Sequence, residues 1–230
     1  MNLKKQIYVR KSCRDYLDDE LDYAIIDEFM KDVKVLNADV SFRYEILTKN
    51  EMNVRTRWSS PYYLALFSEK KENYLENIGF VFQQLSLYLQ SEGIGNCWVG
   101  LVSLKKKDPD FVIAISFGRS DNMTREMTQF KRKSLSKISD FEDEILIPAR
   151  LAPSSINSQP WFFRHTNDGF DVFQVKQNIL KRKFLKKLNA IDMGIVLAQM
   201  YVANPETFEF YIKSGVENIK GYSYVGSIKI

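Results

Sequence analysis

The spacing of apolar residues along the chain alternates between helical and strand patterns, as is typical of an α+β protein. Apolar positions three or four residues apart predict a long helix over 73–92, closed by the glycines that follow. Alternation over 41–48 and compact apolar runs over 62–68 and 111–117 predict three strands, the last of them central and buried. The remaining predicted elements are a helix over 21–33 capped by the acids at 18–20, a helix over 141–151, strands over 161–165 and 170–175, and a second long helix over 191–202.

The order of these elements repeats along the chain. The offset is 122 for an Arg-Lys-Ser string (132 − 10), 119 for the strands (161 − 42) and 115 for two helix glycines (194 − 79). A slowly drifting offset is what a duplication followed by small deletions leaves behind. We therefore predict two diverged copies of one α+β unit, over 1–130 and 131–230, and the alternative is a coincidence between two α+β halves.

Composition describes an ordinary globular protein without an evident nucleic-acid partner. Of the 230 residues, 45% are hydrophobic, and 33 basic against 29 acidic residues leave a net charge of +4, too small to indicate nucleic acid. Basic runs such as Lys105–Lys107 are typical of solvated faces, and no zinc spacing or helix-turn-helix pattern accompanies them. No apolar run reaches the length of a membrane span. We expect a soluble, cytoplasmic protein that binds neither nucleic acid nor membrane.

The cysteines and the single histidine exclude some classes of site. Cys13 and Cys97 form no disulfide framework, which fits a reducing compartment, and both are interpreted as small packing residues. His165 precedes a turn string, Thr166–Gly169, and is predicted to end a strand at a hairpin. A Ser-His-Asp triad or a His-rich metal site is therefore not predicted.

A dense polar string, Ala152–Phe163, separates the helix predicted over 141–151 from the strand that follows it. It reads APSSINSQPWFF. Pro153 ends the helix, while Ser154, Ser155 and Asn157 provide small polar side chains and allow close backbone approach. Such a loop can grip a flat polar ligand. The alternative is a helix-to-strand turn with local Ser and Asn caps.

This string resembles the APSSxNxQPWxF signature of the FMN-dependent nitroreductase family. Two further strings match the family in position: Arg10–Tyr16 is similar to its RRSxRxF opening, and Gly93–Gly100 is similar to its GLGTCWxG turn. Together the three strings cover most of the chain. The resemblance implies a nitroreductase-like α+β fold, FMN as cofactor and NAD(P)H as electron donor.

The distribution of the three strings departs from the usual family pattern. Members are typically homodimers, in which one subunit supplies the Arg-rich opening and the turn near the flavin, and the other supplies the PSSxN loop. Here the first half keeps the opening and the turn but reads VLNADV over 35–40, and the second half keeps the loop but reads ANPE over 203–206. The resemblance implies a single-chain pseudo-dimer with one retained site, acting as a monomer or weak homodimer.

The resemblance also assigns the cofactor-binding residues. The phosphate would be bound by Arg10, Lys11, Ser12 and Arg14, with Arg132 or Lys133 closing from the other side; the ring edge would meet the backbone N–H groups of Trp98, Val99 and Gly100; and the opposite edge and face would meet Pro153, Ser154, Ser155 and Asn157. The indole rings of Trp98 and Trp161 are interpreted as core aromatics.

The expected reaction depends on the cofactor and not on a side-chain acid or base. Flavin N5 would accept a hydride from NAD(P)H and pass it to a small-molecule electron acceptor such as a nitroaromatic or a quinone. No catalytic side chain and no metal are predicted. The alternative is a degenerate member that binds flavin or another ligand without turnover.

Overall fold

A computed structural model describes residues 3–176 and 179–230, with side chains for all of these except 179–184. The α-helices are α1 Leu3–Val9, α2 Ala24–Met30, α3 Tyr74–Ser91, α4 Ile147–Leu151 and α5 Ile179–Ala203. The strands are β1 Phe42–Leu47, β2 Met52–Val54, β3 Tyr62–Ser68, β4 Ile94–Val99, β5 Val102–Leu104, β6 Phe111–Arg119, β7 Trp161–Thr166, β8 Gly169–Val175, β9 Glu209–Tyr211 and β10 Tyr222–Lys229. Single 3-10 turns lie at Lys49–Glu51, Met127–Gln129, Leu135–Lys137, Glu144–Leu146 and Ser155–Asn157.

Two four-stranded antiparallel sheets share one strand order. The first is ordered β1-β3-β6-β4 and the second β7-β8-β10-β9. When the four strands of each sheet are counted in chain order, the fourth strand (β6 or β10) lies between the second and the third. A long helix connects the second strand to the third: α3 joins β3 to β4, and α5 joins β8 to β9. The first unit also carries a small separate sheet, in which β2 pairs with β5.

Helices α3 and α5 pack against each other at the centre of the molecule through a reciprocal pair of glycine contacts. A Cβ on Gly79 would clash with the carbonyl oxygen of Ile191, and a Cβ on Gly194 would clash with the carbonyl oxygen of Glu76. One offset, 115, relates the corresponding residues of the two contacts: the two glycines (194 − 79) and the two residues whose carbonyl oxygens they meet (191 − 76). Only glycine lets the two backbones approach this closely, and the contact has the form of an isologous interface.

The long apolar patterns predicted their elements well. The helix expected over 73–92 is α3, and the strands expected over 41–48, 62–68 and 111–117 are β1, β3 and β6. β6 pairs with β3 on one side and β4 on the other, as expected for a central strand. The hairpin after His165 is also confirmed, because His165 pairs with Phe170 across the β7–β8 turn.

Four boundaries differ from the sequence expectation. The helix expected over 21–33 is confined to α2, where Asp22 Oδ1 accepts the N–H of Ala24 at 3.0 Å, so the acids at 18–20 do not cap it. The helix expected over 141–151 is α-helical only in α4, because Pro148 is tolerated only in a first turn. In the string predicted as a turn, only Gly93 has a left-handed φ (75°), and the next six residues form β4. Helix α5 begins at Ile179, twelve residues before the expected 191 (191 − 179).

One large core joins both units. It contains side chains from α3, α5 and both four-stranded sheets, such as Phe82, Ile115, Trp161, Val172 and Val196. Among the described residues, no helix combines the length and apolarity that a bilayer crossing requires.

Candidate functional site

Two adjoining cavities lie where the first unit meets α5 and the loop after α4. The apolar cavity encloses about 470 Å³ and is bounded by Trp58, Trp98, Val99, Ile113 and Ile195, among others. The basic cavity encloses about 440 Å³ and is bounded by cations, Lys11, Arg125, Lys131 and Arg132. Ser12, Arg14, Pro153, Ser154 and Ile156 contribute to the walls of both cavities. Both volumes lie in the range of small-molecule sites.

The loop between the two cavities has a strained backbone. Ile156, Asn157 and Gln159 have left-handed φ angles of 48°, 57° and 45°. For residues other than glycine this conformation costs about 1–3 kcal/mol each, and such strain is concentrated at functional sites. The Ile156 side chain is also 73% exposed, although it is apolar. The surrounding contacts must therefore stabilise this loop conformation.

Asn157 and Gln159 anchor the strained loop to the first residues of the second unit. Asn157 Oδ1 accepts from Arg132 Nη1 at 2.7 Å, and Asn157 Nδ2 donates to the carbonyl oxygen of Lys131 at 2.8 Å. Gln159 Oε1 accepts the backbone N–H of Lys133, and Lys133 Nζ donates to the Gln159 carbonyl oxygen, both at 2.8 Å. Lys133 therefore contributes to neither cavity wall, whereas Arg132 contributes to the basic cavity.

The predicted arginines form a cluster of cations without acidic partners. Arg10 is 1% exposed, donates from Nη2 to Ser12 Oγ at 3.0 Å, and has no hydrogen-bond partner for Nε or Nη1. Arg132 Nε also has no partner. Within the described part of the chain, no carboxylate pairs with Arg10, Arg14, Arg125 or Arg132. Buried guanidinium groups left unpaired in this way favour the binding of an anion.

The electrostatic cost of this cluster is reflected in its pKa values. Burial, followed by the nearby charge of Arg125, lowers the pKa of Arg10 to about 10. Burial, followed by the charges of Arg10, Arg125 and Arg150, lowers the pKa of Arg132 to about 9. Both groups remain cationic at neutral pH, and a bound anion would relieve their mutual repulsion.

Asp192 is a buried carboxyl in the wall of the apolar cavity, on α5. It is 3% exposed, and its two oxygens accept the backbone N–H of Ser155 at 3.0 and 3.1 Å. Burial raises its pKa to about 8, against the opposing effect of the Ser155 hydrogen bond. No catalytic carboxylate was predicted from the sequence, and no motif singled out Asp192. The available signal was that Asp192 is the only charged residue in the apolar run 191–202.

The end of β4 and the residue after it contribute to the wall of the apolar cavity. Trp98, Val99 and Gly100 all contribute to it, and Trp98 Nε1 donates to Gln83 Oε1 at 3.0 Å. Trp98 also packs on the core, while Trp161 is fully buried in it, in agreement with its assignment as a core aromatic.

One wall of the apolar cavity comes from a segment whose role the sequence did not indicate. The connection after β2 brings Arg55, Thr56, Arg57 and Trp58 to the cavity. Trp58 Nε1 is buried without a hydrogen-bond partner, and the Arg14 guanidinium lies 5.1 Å from the centre of its ring, in cation–π geometry. The polar composition of 50–60 had left this segment without a predicted element or function.

The cysteines and the histidine lie as follows. Cys13 and Cys97 are free and buried, and Cys97 contributes to the apolar cavity. Burial raises the pKa of both thiols, which disfavours the reactive thiolate. His165 stacks on Phe141 with ring centres 4.3 Å apart and belongs to neither cavity wall.

Comparisons with known proteins identify the family. A family model described as "Putative TM nitroreductase" matches residues 2–204. A crystal structure described as a "putative nitroreductase" from Thermotoga maritima MSB8 is similar to the chain, with a TM-score of 0.66 and 21% identity over 93% of this chain and 90% of that one. At this identity the likeness shows the fold. Among curated proteins, no sequence matches the chain significantly.

Two further solved structures match about half of the chain. A nitroreductase family protein from Clostridium novyi NT has a TM-score of 0.45 and 15% identity, over 53% of this chain and 88% of that one. A "Putative NADH dehydrogenase/NAD(P)H nitroreductase" from Bacteroides thetaiotaomicron VPI-5482 has a TM-score of 0.42 and 11% identity, over 56% and 92%. These scores are too low to carry an argument. The family model matches most of the chain, so the chain belongs to the nitroreductase family that this model describes. Members of this family generally use a flavin cofactor.

Proposed function

We propose that this protein is an FMN-dependent oxidoreductase that passes a hydride from NAD(P)H to a small-molecule acceptor such as a nitroaromatic or a quinone. The observation that carries the proposal is the junction of an apolar cavity with a basic one, beside guanidinium groups that have buried nitrogens without a hydrogen-bond partner. Family membership suggests a flavin-dependent oxidoreductase in general terms.

The residues present fit the two chemically different ends of FMN. A flat apolar ring suits the cavity between Trp98 and Ile195, and a phosphate dianion suits the cations of the basic cavity. Arg14, Lys11 and Arg132 would hold the phosphate, and the unpartnered Arg132 Nε would gain a hydrogen bond. Arg10 lies behind this wall and adds positive charge to the cluster.

When bound, FMN would supply the two-electron chemistry, and the chain would bind, orient and shield it. The strained loop would hold one edge of the ring through Pro153, Ser154 and Ser155, while the end of β4 would hold the other. Loop strain is compatible with this role, because it is already accommodated before any ligand binds. The apolar walls would exclude water from the reacting atoms.

We also propose that the chain is an internally duplicated pseudo-dimer with halves 1–130 and 131–230. The common strand order and the reciprocal contacts of Gly79 and Gly194 support this origin. The cavities lie between first-half elements and the loop of the second half, as a subunit-interface site would after fusion. Since this interface is internal, we expect a monomer or weak homodimer, and light scattering would measure its mass.

The experiment that tests the proposed function is a spectroscopic titration of the purified protein with FMN, followed by an NAD(P)H oxidation assay with a quinone. We expect about one FMN per chain, because the described residues bring one apolar cavity and one basic cavity together at this junction. Two FMN per chain would refute the single-site proposal. A protein that binds FMN but oxidises NAD(P)H no faster than free flavin would instead be a flavin-binding protein without turnover. No binding at excess FMN would refute the proposal altogether.

A further inference from the structure

Helices α3 and α5 place a polar side chain at the same position relative to their glycines. Asp192 on α5 and Asn77 on α3 are separated by 115 residues (192 − 77), the offset that also relates Gly79 and Gly194. Both side chains are buried and both bind the backbone of a loop. Asp192 accepts the N–H of Ser155.

Asn77 performs the matching task in the first half. Its Oδ1 accepts the backbone N–H groups of Leu36 and Asn37, both at 3.0 Å. A neutral amide is therefore sufficient to hold a loop at this position of the fold. Holding the loop does not explain why α5 carries an ionisable carboxyl, since burying such a group costs free energy.

The two side chains differ in whether they border the apolar cavity, and this difference explains why α5 carries a carboxyl. Asp192 contributes to the wall of the apolar cavity, whereas Asn77 contributes to neither of the two adjoining cavities. The carboxyl oxygens share a single N–H donor, and no described cation forms an ion pair with them. The carboxyl thus retains free lone pairs, and its acidic proton can be directed into the cavity.

We infer that Asp192 is the proton donor for the acceptor reduced in the apolar cavity, and that its hydrogen bond to Ser155 keeps the carboxyl beside the loop. This inference rests on the proposed function. Reduction of a quinone to a hydroquinone requires a hydride, which a bound reduced flavin would supply, and one proton. The O–H bond of Asp192 breaks as an O–H bond forms on the quinone oxygen, and the carboxylate regains a proton from water.

The other ionisable groups around the cavity do not offer this proton as readily. Arg14 comes from the N-terminal segment, Arg55 and Arg57 from the connection after β2, and Cys97 from β4. The arginines are permanent cations and favour the carboxylate product, while burial raises the pKa of the Cys97 thiol. On α3, which packs against α5, Glu76 is half-buried; desolvation raises its pKa, and it faces a different cavity. Burial holds the pKa of Asp192 at about 8, so the carboxyl is mainly protonated at neutral pH.

The decisive variant is Asp192→Asn, because it copies the side chain that the chain itself uses at position 77. We expect the variant to bind FMN within about threefold of wild type, since the loop contact is kept. Quinone reduction should fall about 10²–10⁴-fold, the usual contribution of a positioned acid. Flavin reduction by NAD(P)H, monitored as the loss of the visible flavin absorbance, should be retained. The alkaline fall in wild-type quinone reduction, near pH 8, should disappear.

Two further variants separate proton donation from loop positioning. Asp192→Ala removes both, so it should weaken FMN binding as well as slow quinone reduction. Asn77→Asp is the matched control: it places a carboxyl at the other helix, away from both cavities, and should leave the rate and its pH profile unchanged. Wild-type rates and pH dependence in Asp192→Asn would overturn the inference, as would a loss of FMN binding equal to that of Asp192→Ala.

A readout on flavin-free protein is independent of catalysis. Infrared spectra between about pH 6 and pH 10 should contain a protonated-carboxyl band that titrates with a pKa of about 8 and is missing in Asp192→Asn. If this band is absent from the wild type, Asp192 is ionised and the inference is wrong. A wild-type protein that has the band but binds no FMN would refute the proposed function, and proton donation with it. A loss of quinone reduction in Asp192→Asn, with FMN binding retained and with Asn77→Asp unaffected, would support both.

Discussion

Two loops occupy corresponding places in the two halves, and they are held differently. The loop over 35–40 is joined to the start of α3 by hydrogen bonds: Asn77 binds Leu36 and Asn37, Asn37 Nδ2 donates to the Glu72 carbonyl oxygen, and Lys71 Nζ donates to that of Asp39. The loop over 153–157 also has a helix anchor, Asp192, but it borders two cavities. The anchor belongs to the fold, whereas strain, cations and a carboxyl distinguish the loop that we propose to contact the cofactor.

The comparison extends to the residues around each loop. Arg132 approaches the strained loop with an unpartnered Nε, and Arg10 lies behind it with two unpartnered nitrogens. Around the 35–40 loop, Gln84 Nε2 donates to the carbonyl oxygen of Lys34, and no described arginine has an unpartnered buried nitrogen. Asn77 Nδ2, beside the 35–40 loop, is also buried without a partner, so the two regions differ in the charge of their unpartnered groups. Guanidinium nitrogens near the strained loop favour an anion, and a neutral amide does not.

The largest expected effect concerns the contact that both halves share. Gly79→Ala and Gly194→Ala should each lower the free energy of unfolding by about 3 kcal/mol or more, because each new methyl group meets a carbonyl oxygen of the other helix. Denaturant unfolding measures this. Similar losses in the two variants would support a reciprocal interface. A large loss in one variant and none in the other would show that the two contacts are not equivalent.

Arg10→Met should reduce the positive charge that distinguishes the surroundings of the strained loop from those of the 35–40 loop. Methionine keeps much of the buried volume and removes a charge that has no acidic partner. We expect FMN to bind about 100-fold more weakly, since the cation cluster loses a member, while flavin-free protein becomes no less stable. Fluorescence titration and thermal unfolding test the two parts. Unchanged FMN affinity would remove Arg10 from the site.

Asn157→Ala and Asn37→Ala form a matched pair in the two loops. Asn157 binds Arg132 and Lys131, so its loss should release the strained loop and weaken FMN binding about tenfold. Asn37 caps its own loop by accepting the N–H of Asp39, so its loss should leave FMN affinity unchanged. Equal affinities for both variants and wild type would contradict the assignment of the 153–157 loop to the cofactor.

The pH dependence of stability offers the smallest expected effect. Burial raises the pKa of Asp192 from an ordinary 3.8 to about 8, so the folded state binds more protons than the unfolded state between these values. The contribution of Asp192 to stability is therefore fully present below about pH 4 and is lost as the pH rises through about 8. In flavin-free protein, Asp192→Asn should gain at least about 1 kcal/mol relative to wild type over this window. Parallel pH profiles for the two proteins would contradict the raised pKa.

Local pattern predicted the elements whose apolar spacing is long and regular. Helix α3 and strands β3 and β6 are examples, because burial along a whole face leaves a strong periodic signal. Short elements were less predictable. Pro148 shortens α4 to five residues, and strand pairing with β6 converts the string after Gly93 into β4. Both outcomes depend on a local exception or on a distant partner.

By itself, the sequence determined which chemistry the chain carries: the polar string Ala152–Phe163, the arginines near Arg10 and Arg132, and the order of two α+β units. Only the tertiary structure decided which of these residues share a cavity. It turned Lys133 toward Gln159, brought Arg55–Trp58 into a cavity wall, and placed Asp192, which no motif marks, in that wall with a hydrogen bond to Ser155. The reason is physical: composition and spacing act locally, whereas a binding cavity is assembled from segments far apart in the chain, whose burial and charge depend on how they pack.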